Sequence, residues 1–586
     1  MKKLHLFYSC FLFLFLFTNC KKENYNQDFS ALTKAYFDDK NSFDPLGATQ
    51  NGQHQFDGQL QLDMTDAYRK KLGEFYKKYL QELKKIEVSM LSPDEKVSFD
   101  IMQWEINRGQ DLLELPTNLM PIHQFWGTHL TMAQFAGGTS AQPFATEKDY
   151  LNFLNRIEKY AVWIDSSIVY MKKGISQKTV LPKALVVKLI PQFEDSFTQD
   201  PKDNLFYAAI KLMPAQFSDA TKKSLSAKYA SAIDQRLNPS FQKMTAFLKI
   251  EYLPAALSSS GIGSLPQGEK MYAAFAKMWT TTDLKPEEIH ELGLKEVARL
   301  KNEMEKVKKQ VGYKGDLVYF FNDLRKKPAL KPFKKPEEVI ANFEAIYNRI
   351  KPNVDKLFSL QPKTPFQIKR TEAFREKTAS AEYQQGAADG SRPGTFYVPI
   401  PDVSAYSVLE DEDLFLHEAI PGHHFQISLQ QENQALPDFR RFNWFGAYGE
   451  GWALYCESLG KELGLYQDPY QYLGMLNNEM HRAIRLVVDT GLHSKGWSRE
   501  QAIQYSLENE AAGIESITAE IERYMAIPGQ ALSYKIGQLK IMELRRKAEL
   551  KFGKNFDIRV FHQKVLESGV MPLALLEQKI NAWIEE

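Results

Sequence analysis

The spacing of apolar residues is helical over most of the chain. In the N-terminal third they recur every three or four positions, which places them on one face of an α-helix, as at Tyr68, Leu72, Phe75, Tyr79, Leu80 and Leu83. The segment Ser92–Glu95 has the Ser-Pro-Asp-Glu sequence of a capping box with proline in the first helical position. The pattern predicts long helices between residues 66 and 115.

The same periodicity returns in the second half of the chain. Thr282–Glu288 and Lys334–Glu338 each end in Pro-Glu-Glu, which is typical of a helix start. The first of these segments opens an apolar stripe formed by Ile289, Leu292, Val297, Leu300, Met304 and Val307. From Asp411 to the C-terminus the pattern is helical throughout, so the predicted fold is mainly α.

One short region has a different pattern. Phe366–Arg370 and Gly394–Ile400 alternate in the manner of strands, and the glycine- and proline-containing segment Gly386–Pro393 lies between them. Such segments favour short strands joined by turns. We therefore predict a small β-sheet close to the helix that follows Asp411.

A change of composition suggests where the chain divides. Leu257–Gly268 is rich in serine and glycine, and it lacks the lysine that a phosphate-binding loop needs. We place the boundary there. The predicted regions are an N-terminal helical region over residues 29–260 and a second helical region over residues 261–586, which contains the reactive motif.

Composition and charge exclude some classes of protein. The 586 residues are 44% hydrophobic and 25% charged, which is ordinary for a globular protein with more than one core. A net charge of +1 gives no field for attracting nucleic acid, so no nucleic-acid partner is expected. Because two of the three cysteines, Cys10 and Cys20, belong to the N-terminal leader, Cys456 has no disulfide partner and is predicted to be a small buried residue.

The N-terminus has the organisation of an export signal. Two lysines precede an apolar run too short to span a membrane as a mature helix, and Thr18–Lys22 looks like a bacterial lipoprotein cleavage site. A small residue usually precedes the cysteine of such a site, and Asn19 departs from that pattern. The prediction is a signal peptide over residues 1–20, a tether over residues 21–28 and a lipid on Cys20, with an uncleaved anchor as the alternative.

This leader predicts the location of the protein. It would be an exported lipoprotein of the cell envelope, in the periplasm or outer membrane of a Gram-negative bacterium. The lipid on Cys20 would be its sole contact with a membrane. The lysines that follow Cys20 are compatible with either membrane.

The densest group of metal-binding residue types lies in Leu416–Gln426, where three histidines and a glutamate fall within eight residues. In a zinc-binding HExxH helix the two histidines are one turn apart, and the glutamate between them handles the water proton. Here Pro421 occupies the position of the second histidine, and the next imidazoles belong to His423 and His424. The motif is therefore a stretched form of HExxH.

A regular helix would keep the first two imidazoles apart. It would place His423 about 240° around the axis from His417 and about 9 Å along it, whereas a Zn–N bond is about 2.0–2.1 Å. Pro421 cannot donate to the His417 carbonyl, and Gly422 tolerates unusual dihedral angles. We predict a helix that is bulged or broken between its two ligands, the second of which is His423 or His424.

A third ligand is needed, because a catalytic zinc takes three protein ligands and keeps one position for water. Glu450 follows His423 by 27 residues, and Glu457 stands one heptad further on the same face of a predicted helix. We assign Glu450 to the metal, since the glycines beside it would let backbone and ion approach closely. Glu457 would accept a hydrogen bond from an imidazole N–H. Two solvated glutamates are the alternative.

Four motifs, taken in order, resemble those of the bacterial family known as domain of unknown function 885: His417–Gln426, Glu450–Tyr455, Arg485–His493 and Pro528–Lys535. The resemblance covers most of the chain after the leader. That family is similar in motif order to helical metallopeptidases of the gluzincin type, such as the thimet oligopeptidase and angiotensin-converting enzyme families. It implies a large helical body with a cleft, in which one zinc ion is held by His417, His423 and Glu450.

The resemblance also implies a zinc-dependent peptidase reaction. Glu418 would take the proton of the attacking water and pass it to the leaving amine. Tyr534 or His493 would donate a hydrogen bond to the oxyanion, because the similar peptidases supply a tyrosine or histidine from a late helix. For both residues, packing within the protein is the alternative role.

Other assignments stay open at the level of sequence. Arg485 and Arg392 could hold a substrate carboxylate, or they could tie helices together through buried acids such as Asp489. Cobalt and manganese accept ligands similar to those of zinc. The predicted substrate is a peptide or small amide. The alternatives are a non-catalytic lipoprotein that binds peptide or glycan, for which Glu418 would be unnecessary, and a zinc hydrolase of non-peptide amides or esters.

Overall fold

The computed structural model describes residues 28–138, 140–372, 376, 379–386 and 392–586. The predicted signal peptide (residues 1–20), its Cys20 and most of the tether (residues 21–28) lie outside these ranges, although Asp28 is already helical. The prediction of a mainly α fold with a small sheet is confirmed. Within the described ranges, no helix combines the length and apolarity that crossing a bilayer requires.

The chain forms two compact units, which divide between Ser258 and Ser259. The first contains the described residues up to Ser258 together with Pro437–Phe439. Its helices are α1 (28–43), α2 (Pro45–Gln50), α3 (Asp66–Leu83), α4 (Pro93–Leu113), α5 (Thr128–Ala136), α6 (Glu147–Ser176), α7 (Lys183–Glu194), α8 (Ala208–Lys211), α9 (Asp219–Ala232), α10 (Asn238–Phe247) and α11 (Leu253–Ala255). Two π-helical segments, Ile233–Leu237 and Leu248–Tyr252, make α9, α10 and α11 continuous.

The second unit contains Ser259–Leu436 and Arg440–Glu586. Helix α18 includes residues of both units. The helices of this part of the chain are α12 (Gly268–Thr280), α13 (Pro286–Gln310), α14 (Leu317–Lys326), α15 (Pro336–Leu357), α16 (Asp411–Glu418), α17 (His423–Glu432), α18 (Asp438–Arg441), α19 (Gly446–Ser458), α20 (Pro469–Ser494), α21 (Arg499–Asn509), α22 (Ile514–Ala526), α23 (Ser533–Phe552), α24 (Ile558–Leu566) and α25 (Leu573–Glu585).

The predicted helix start at Ser92 is present in the first unit. The Ser92 hydroxyl accepts from the Glu95 N–H at 3.3 Å, and the Glu95 carboxylate accepts from the Ser92 N–H at 2.8 Å. Two otherwise unpaired donors are satisfied in this way. Helix α6 forms much of the buried interior of the unit, and its Arg156 is fully buried while donating to backbone carbonyls that include Gln59 and Pro45.

Helix α20 is central to the second unit. It packs along α13 and also against α16, α21, α22 and α23. The approach to α13 is close, since a methyl group on Gly293 would lie 2.7 Å from the Leu486 Cβ. The predicted apolar stripe of α13 is buried at Ile289, Val297, Leu300, Met304 and Val307.

The sheet has three strands in the order β1-β3-β2, which are β1 (Phe366–Arg370), β2 (Glu382–Gln384) and β3 (Gly394–Val398). Strands β1 and β3 are parallel, with Phe366 opposite Gly394, and β2 runs antiparallel to β3, with Tyr383 opposite Phe396. The pattern predicted β1 and β3. It missed β2, because a strand of three residues with no buried member has no alternation to detect. The sheet lies against α15 and α17.

Helices α19 and α23 cross at two glycines. A methyl group on Gly451 would lie 2.4 Å from the Gly537 Cα, and one on Gly537 would lie 1.8 Å from the Ala447 carbonyl oxygen. Because the obstacles are backbone atoms, a side chain cannot be accommodated by a rotamer change. The two glycines therefore set how closely α19, which carries Glu450, packs on α23.

We expect Gly451→Ala to destabilise the protein by about 1–3 kcal/mol, because the added methyl group forces the two helices apart. Gly513 is the control, since a methyl group there meets no atom within 4 Å. Gly513→Ala should change the unfolding free energy by less than about 1 kcal/mol. Chemical denaturation of both variants measures the difference, and equal stabilities would contradict the proposed steric role of the crossing.

Candidate metal centre

The stretched motif contains a helix break. Helix α16 ends at Glu418, Ala419 leaves the helical region with φ −107° and ψ −105°, and α17 begins at His423. The Ile420–Pro421 peptide bond is cis. The Pro421 carbonyl accepts from the Trp452 indole N–H of α19 at 2.9 Å. The predicted break between the two histidines is thus present, and it is anchored to α19.

Gly422 allows the chain to turn sharply within this break. A methyl group there would lie 1.9 Å from the His417 carbonyl oxygen and 2.3 Å from that of Leu416. Only glycine fits so close to the backbone of the preceding helix. The turn returns the chain against the end of α16, and it brings the His423 ring to 4.8 Å from the His417 ring, measured between ring centroids.

Three predicted ligands converge at this point. The Glu450 Oε2 atom lies 3.6 Å from His417 Nε2 and 3.4 Å from His423 Nε2. All three ligand atoms lie within 4.8 Å of one another. Both distances exceed those of a good hydrogen bond. The three atoms therefore surround a small space.

The donor set and the two separations from Glu450 fit a zinc ion. With bonds of about 2.0–2.1 Å and tetrahedral angles, the ligand atoms around zinc stand about 3.3 Å apart. The two measured separations from Glu450 are close to this value. Two imidazole nitrogens and one carboxylate oxygen are also a ligand set of catalytic zinc sites, which leave a fourth position open.

Hydrogen bonds and neighbouring charges orient the three groups and set their protonation. The Glu457 carboxylate lies 2.7 Å from His417 Nδ1, so Glu457 fixes the ring and leaves Nε2 facing Glu450. Burial lowers the pKa of His417, but hydrogen bonds to Glu450 and Glu457 and the charges of Glu457 and Glu418 outweigh it and raise the pKa to about 10, so a metal that binds this ring must displace a proton. Burial opposes ionisation of Glu450, yet the neighbouring His423 and His417 hold the pKa of that carboxyl below its usual range. Glu450 is therefore anionic, as a metal ligand must be.

Glu418 is separate from the ligand atoms but shares their cavity. It is 9% exposed, and its burial raises the pKa of its carboxyl, while the charges of His417 and His423 and a hydrogen bond from the Tyr383 backbone N–H act in the opposite direction. A buried carboxylate with a raised pKa beside a metal position has the properties of a general base.

His424, the alternative ligand, points elsewhere. Its Nδ1 atom lies 3.0 Å from the Tyr383 hydroxyl and 3.3 Å from the Ser428 hydroxyl, and its ring packs on Phe366 at 4.8 Å between centroids. Burial lowers the pKa of His424 to about 4. The neutral ring therefore joins α17 to the sheet and is not one of the three converging groups.

The glycines beside Glu450 have a different role from the one expected. A methyl group on Gly449 would lie 2.1 Å from the Trp444 ring, and Gly451 faces Gly537 of α23. These glycines allow close packing of α19 and do not face the ligand atoms. Cys456 is buried as predicted, with its Sγ 3.4 Å from the Pro421 carbonyl oxygen.

The three groups open into a cavity of about 560 Å³. Its lining includes Ser380–Tyr383 of the segment that contains β2, Trp444, and Tyr534 at the start of α23. The Trp444 ring lies 5.8 Å from the His423 ring, measured between centroids. Tyr534 is thus placed in the cavity together with Glu418, as its predicted role requires.

His493 is not placed there, and the expectation that it donates to an oxyanion is corrected. The His493 Nδ1 atom accepts from the Ile262 N–H at 3.1 Å, and Nε2 lies 3.0 Å from the Tyr524 carbonyl oxygen. Both ring nitrogens are therefore committed to backbone groups. His493 is buried, and the cavity lining does not include it. The residue packs helices together.

The two predicted arginines differ in position. Arg485 lines the cavity and pairs with Glu520 of α22 at 2.9 Å, not with Asp489. Asp489 accepts from the Tyr272 hydroxyl at 2.6 Å and from the Gly529 N–H. Arg392 is exposed and donates to the Gln385 carbonyl, and it is not part of the lining.

The sequence interpretation missed several lining residues. Arg482 stands one turn before Arg485 on α20, and Arg523 stands three residues after Glu520 on α22. Their helical spacing from Arg485 and from Glu520 was a usable signal. Nothing in the local pattern indicated Tyr383 or Trp444, because their positions depend on how separate segments pack.

The structure defines a mainly helical protein with a candidate metal centre of two histidines and one glutamate. The chain belongs to the family of bacterial proteins of unknown function designated DUF885, whose profile matches residues 45–580. The predicted family membership is therefore confirmed.

Two solved structures are similar to the chain. The crystal structure of the "putative lipoprotein from Colwellia psychrerythraea" has a TM-score of 0.87 and 28% identity, over 96% of this chain and 99% of that chain. The "putative lipoprotein of unknown function from Shewanella oneidensis" has a TM-score of 0.75 and 20% identity, over 95% of this chain and 100% of that chain, and it shows the shared fold. A comparison with curated proteins gives no match.

Proposed function

We propose that the protein is a zinc-dependent hydrolase, and more narrowly a metallopeptidase that cleaves short peptides. One observation carries the proposal: the Glu418 carboxylate shares a cavity with three ligand atoms that lie within 4.8 Å of one another, with both separations from Glu450 close to those around zinc. A binding protein would need neither the open fourth position nor a buried base beside it.

The chain's own residues have distinct roles in this proposal. His417, His423 and Glu450 would hold one zinc ion, which supplies Lewis-acid chemistry and lowers the pKa of water. Glu418 accepts the proton of the attacking water and transfers it to the leaving nitrogen. Tyr534 is the candidate donor to the developing oxyanion, since it lines the same cavity. Glu457 holds the His417 ring in position.

The shape of the cavity favours a short peptide. A volume of about 560 Å³ is within the range of small-ligand sites, which limits the enclosed part of a substrate to a few residues. Strand β2 lies at the edge of the sheet and its segment lines the cavity. The Tyr383 N–H of this edge already donates to Glu418, so an extended peptide would pair with the remaining backbone groups of the edge.

The leader and the neighbours support a location on the cell envelope. Both similar structures carry the description of a lipoprotein, and the leader ends in the predicted lipidation site at Cys20. We therefore place the hydrolase on the cell envelope, anchored through Cys20.

Metal removal tests the proposed function. We expect protein lacking residues 1–20 to be purified with about one zinc ion per chain and to hydrolyse members of a short-peptide library. Chelation should abolish hydrolysis, and one equivalent of zinc should restore it. Magnesium is the control and should not restore hydrolysis, because it prefers oxygen ligands. Hydrolysis that persists after complete metal removal would contradict the proposal, and cleavage of esters alone would favour a non-peptide substrate.

A further inference from the structure

Three arginines line the cavity that contains the candidate metal centre. Arg482 and Arg485 lie one turn apart on α20, and Arg523 lies on α22. The proposed peptidase reaction uses none of them. Their placement therefore needs its own explanation.

One carboxylate serves two of these arginines. Glu520 accepts from Arg485 Nη2 at 2.9 Å and from Arg523 Nε and Nη2, both at 3.1 Å. The Tyr524 hydroxyl also donates to Glu520, at 2.8 Å. The hydrogen-bonding capacity of Glu520 is thus largely used by partners on α20 and α22.

Two guanidinium N–H donors of this arginine cluster remain unpaired. The Arg485 Nη1 and Arg482 Nε atoms are buried without a hydrogen-bond partner among the described residues. Arg485 is only 6% exposed. The Arg482 Nη1 contact to Asn478 is long, at 3.4 Å. A buried guanidinium donor without a partner costs free energy unless a ligand provides an acceptor.

Both guanidinium groups also lie against the Tyr534 ring. The Arg485 guanidinium carbon is 4.5 Å from the centre of the Tyr534 ring, and that of Arg482 is 5.7 Å from the same centre. Two like charges over one ring repel each other, and an anion between them would relieve the repulsion. Glu410 and Asp413 attract Arg482, but burial raises the pKa of both carboxyls and favours their neutral forms.

A purely structural role explains only part of this arrangement. Arg485 ties α20 to α22 through Glu520, and Arg523 pairs with the same carboxylate within α22, so those contacts are complete. It does not account for Arg482 or for the free Nη1 of Arg485. Guanidinium groups bind carboxylates through paired hydrogen bonds, so a carboxylate is the ligand that fits.

We propose that Arg485 and Arg482 bind the C-terminal carboxylate of a peptide whose scissile bond lies at the metal centre. The inference rests on the proposed peptidase function and adds its substrate class, which is peptides cleaved near a free C-terminus. The size of the cavity supports it, because a site of about 560 Å³ encloses only a few residues beyond the scissile bond. Tyr534, whose ring both guanidinium groups contact, lines the same cavity.

The test compares peptides that differ only at the C-terminus. An N-acetylated tripeptide library is prepared with free carboxylates and again with amides, and kcat/KM is measured for the zinc-loaded mature protein. We expect the acids to be preferred by about 10- to 100-fold, the effect of a hydrogen-bonded charge. Arg485→Gln should reduce this ratio to near one, and Arg485→Lys should restore part of it, with the zinc content unchanged in both variants.

Two controls separate recognition from folding. Arg499→Gln removes an arginine that pairs with Glu522 and lies outside the cavity lining, so it should keep the parent ratio. Arg482→Gln leaves the Glu520 contacts intact and should lower the ratio even if Arg485→Gln fails to fold. Amides that end in aspartate test the source of the carboxylate, and their use as efficiently as free acids would overturn the proposal.

Binding distinguishes this inference from the proposed function. The Glu418→Gln variant, loaded with zinc, is titrated with both libraries. A preference for acids that depends on Arg485 supports the subsite even if no preparation hydrolyses peptides, in which case the hydrolase proposal fails alone. Equal binding and equal hydrolysis of acids and amides by the parent would overturn the subsite and leave the hydrolase proposal standing.

Discussion

Replacing Glu418 by glutamine should lower kcat for peptide hydrolysis by about 100- to 10,000-fold, which is the contribution of a positioned general base. The substitution keeps the size of the side chain and removes its ability to accept a proton. Glu418 is not one of the three converging ligands, so the zinc content should stay at one ion per chain. The combination of bound metal and lost turnover is the signature of a base.

Turnover on the peptide library and metal analysis of the same samples measure this prediction. Glu432→Gln provides a matched control, because Glu432 lies on α17 and accepts from the Lys363 and Thr364 N–H groups, outside the cavity lining. It should retain most of the parent activity. If Glu418→Gln retains turnover within about tenfold of the parent, below the range for a general base, the assignment of the base is wrong.

Replacing His423 by alanine should abolish stoichiometric zinc binding, whereas replacing the adjacent His424 should not. Loss of a direct ligand is expected to weaken binding by more than the roughly 10- to 100-fold seen when a supporting residue is lost. His424 faces Tyr383 and Ser428, so its removal should disturb packing with the sheet and leave the ligand set complete.

Competition with a chromophoric chelator gives the zinc affinity of each variant. Thermal unfolding of the metal-free proteins is the accompanying measurement, because His424→Ala should lower stability while His423→Ala should have a smaller effect. The reverse pattern of affinities, with zinc lost in His424→Ala and kept in His423→Ala, would show that the neighbouring histidine is the ligand.

The helices were predictable because their signals are local. Each of these signals is made by residues only a few positions apart. They are the apolar spacing, the capping box at Ser92 and the proline helix starts at Pro286 and Pro336. Each helix signal depends only on neighbouring residues, and these can be identified from the sequence. Strand β2 had no such signal, since its three residues gain their structure from pairing with β3.

The candidate ligands were also accessible to sequence reasoning. Metal binding requires particular residue types, and these seldom cluster along a sequence. In His417–His424 they do. Pro421 and Gly422 indicated a break by their backbone chemistry. The heptad from Glu450 to Glu457 indicated one face of a helix, and on that face Glu450 lies near both imidazoles while Glu457 contacts His417.

The remaining assignments depended on distances between separate elements. His493 and Tyr534 were equivalent candidates in the sequence, yet backbone groups of Ile262 and Tyr524 occupy both His493 nitrogens, while Tyr534 lines the cavity. For Arg485 a substrate carboxylate and a buried acid such as Asp489 both stayed open, and the residue pairs with Glu520 of α22. Side chains choose partners by three-dimensional proximity, which residue type and spacing along one helix do not specify.

The sequence by itself determined a mainly helical protein with an HExxH-like motif interrupted at Pro421–Gly422, because helix periodicity and backbone chemistry are properties of neighbouring residues. Tertiary structure alone decided that His423, not His424, faces His417 and Glu450, and that arginines of α20 and α22 meet in the same cavity. The first outcome follows from the return of the chain at Gly422 and from the close crossing of α19 on α23, and the second follows from the packing of α22 on α20. The helix contacts join segments that are far apart in sequence, and the turn at Gly422 folds one segment back on itself. The packing of the whole unit fixes these contacts.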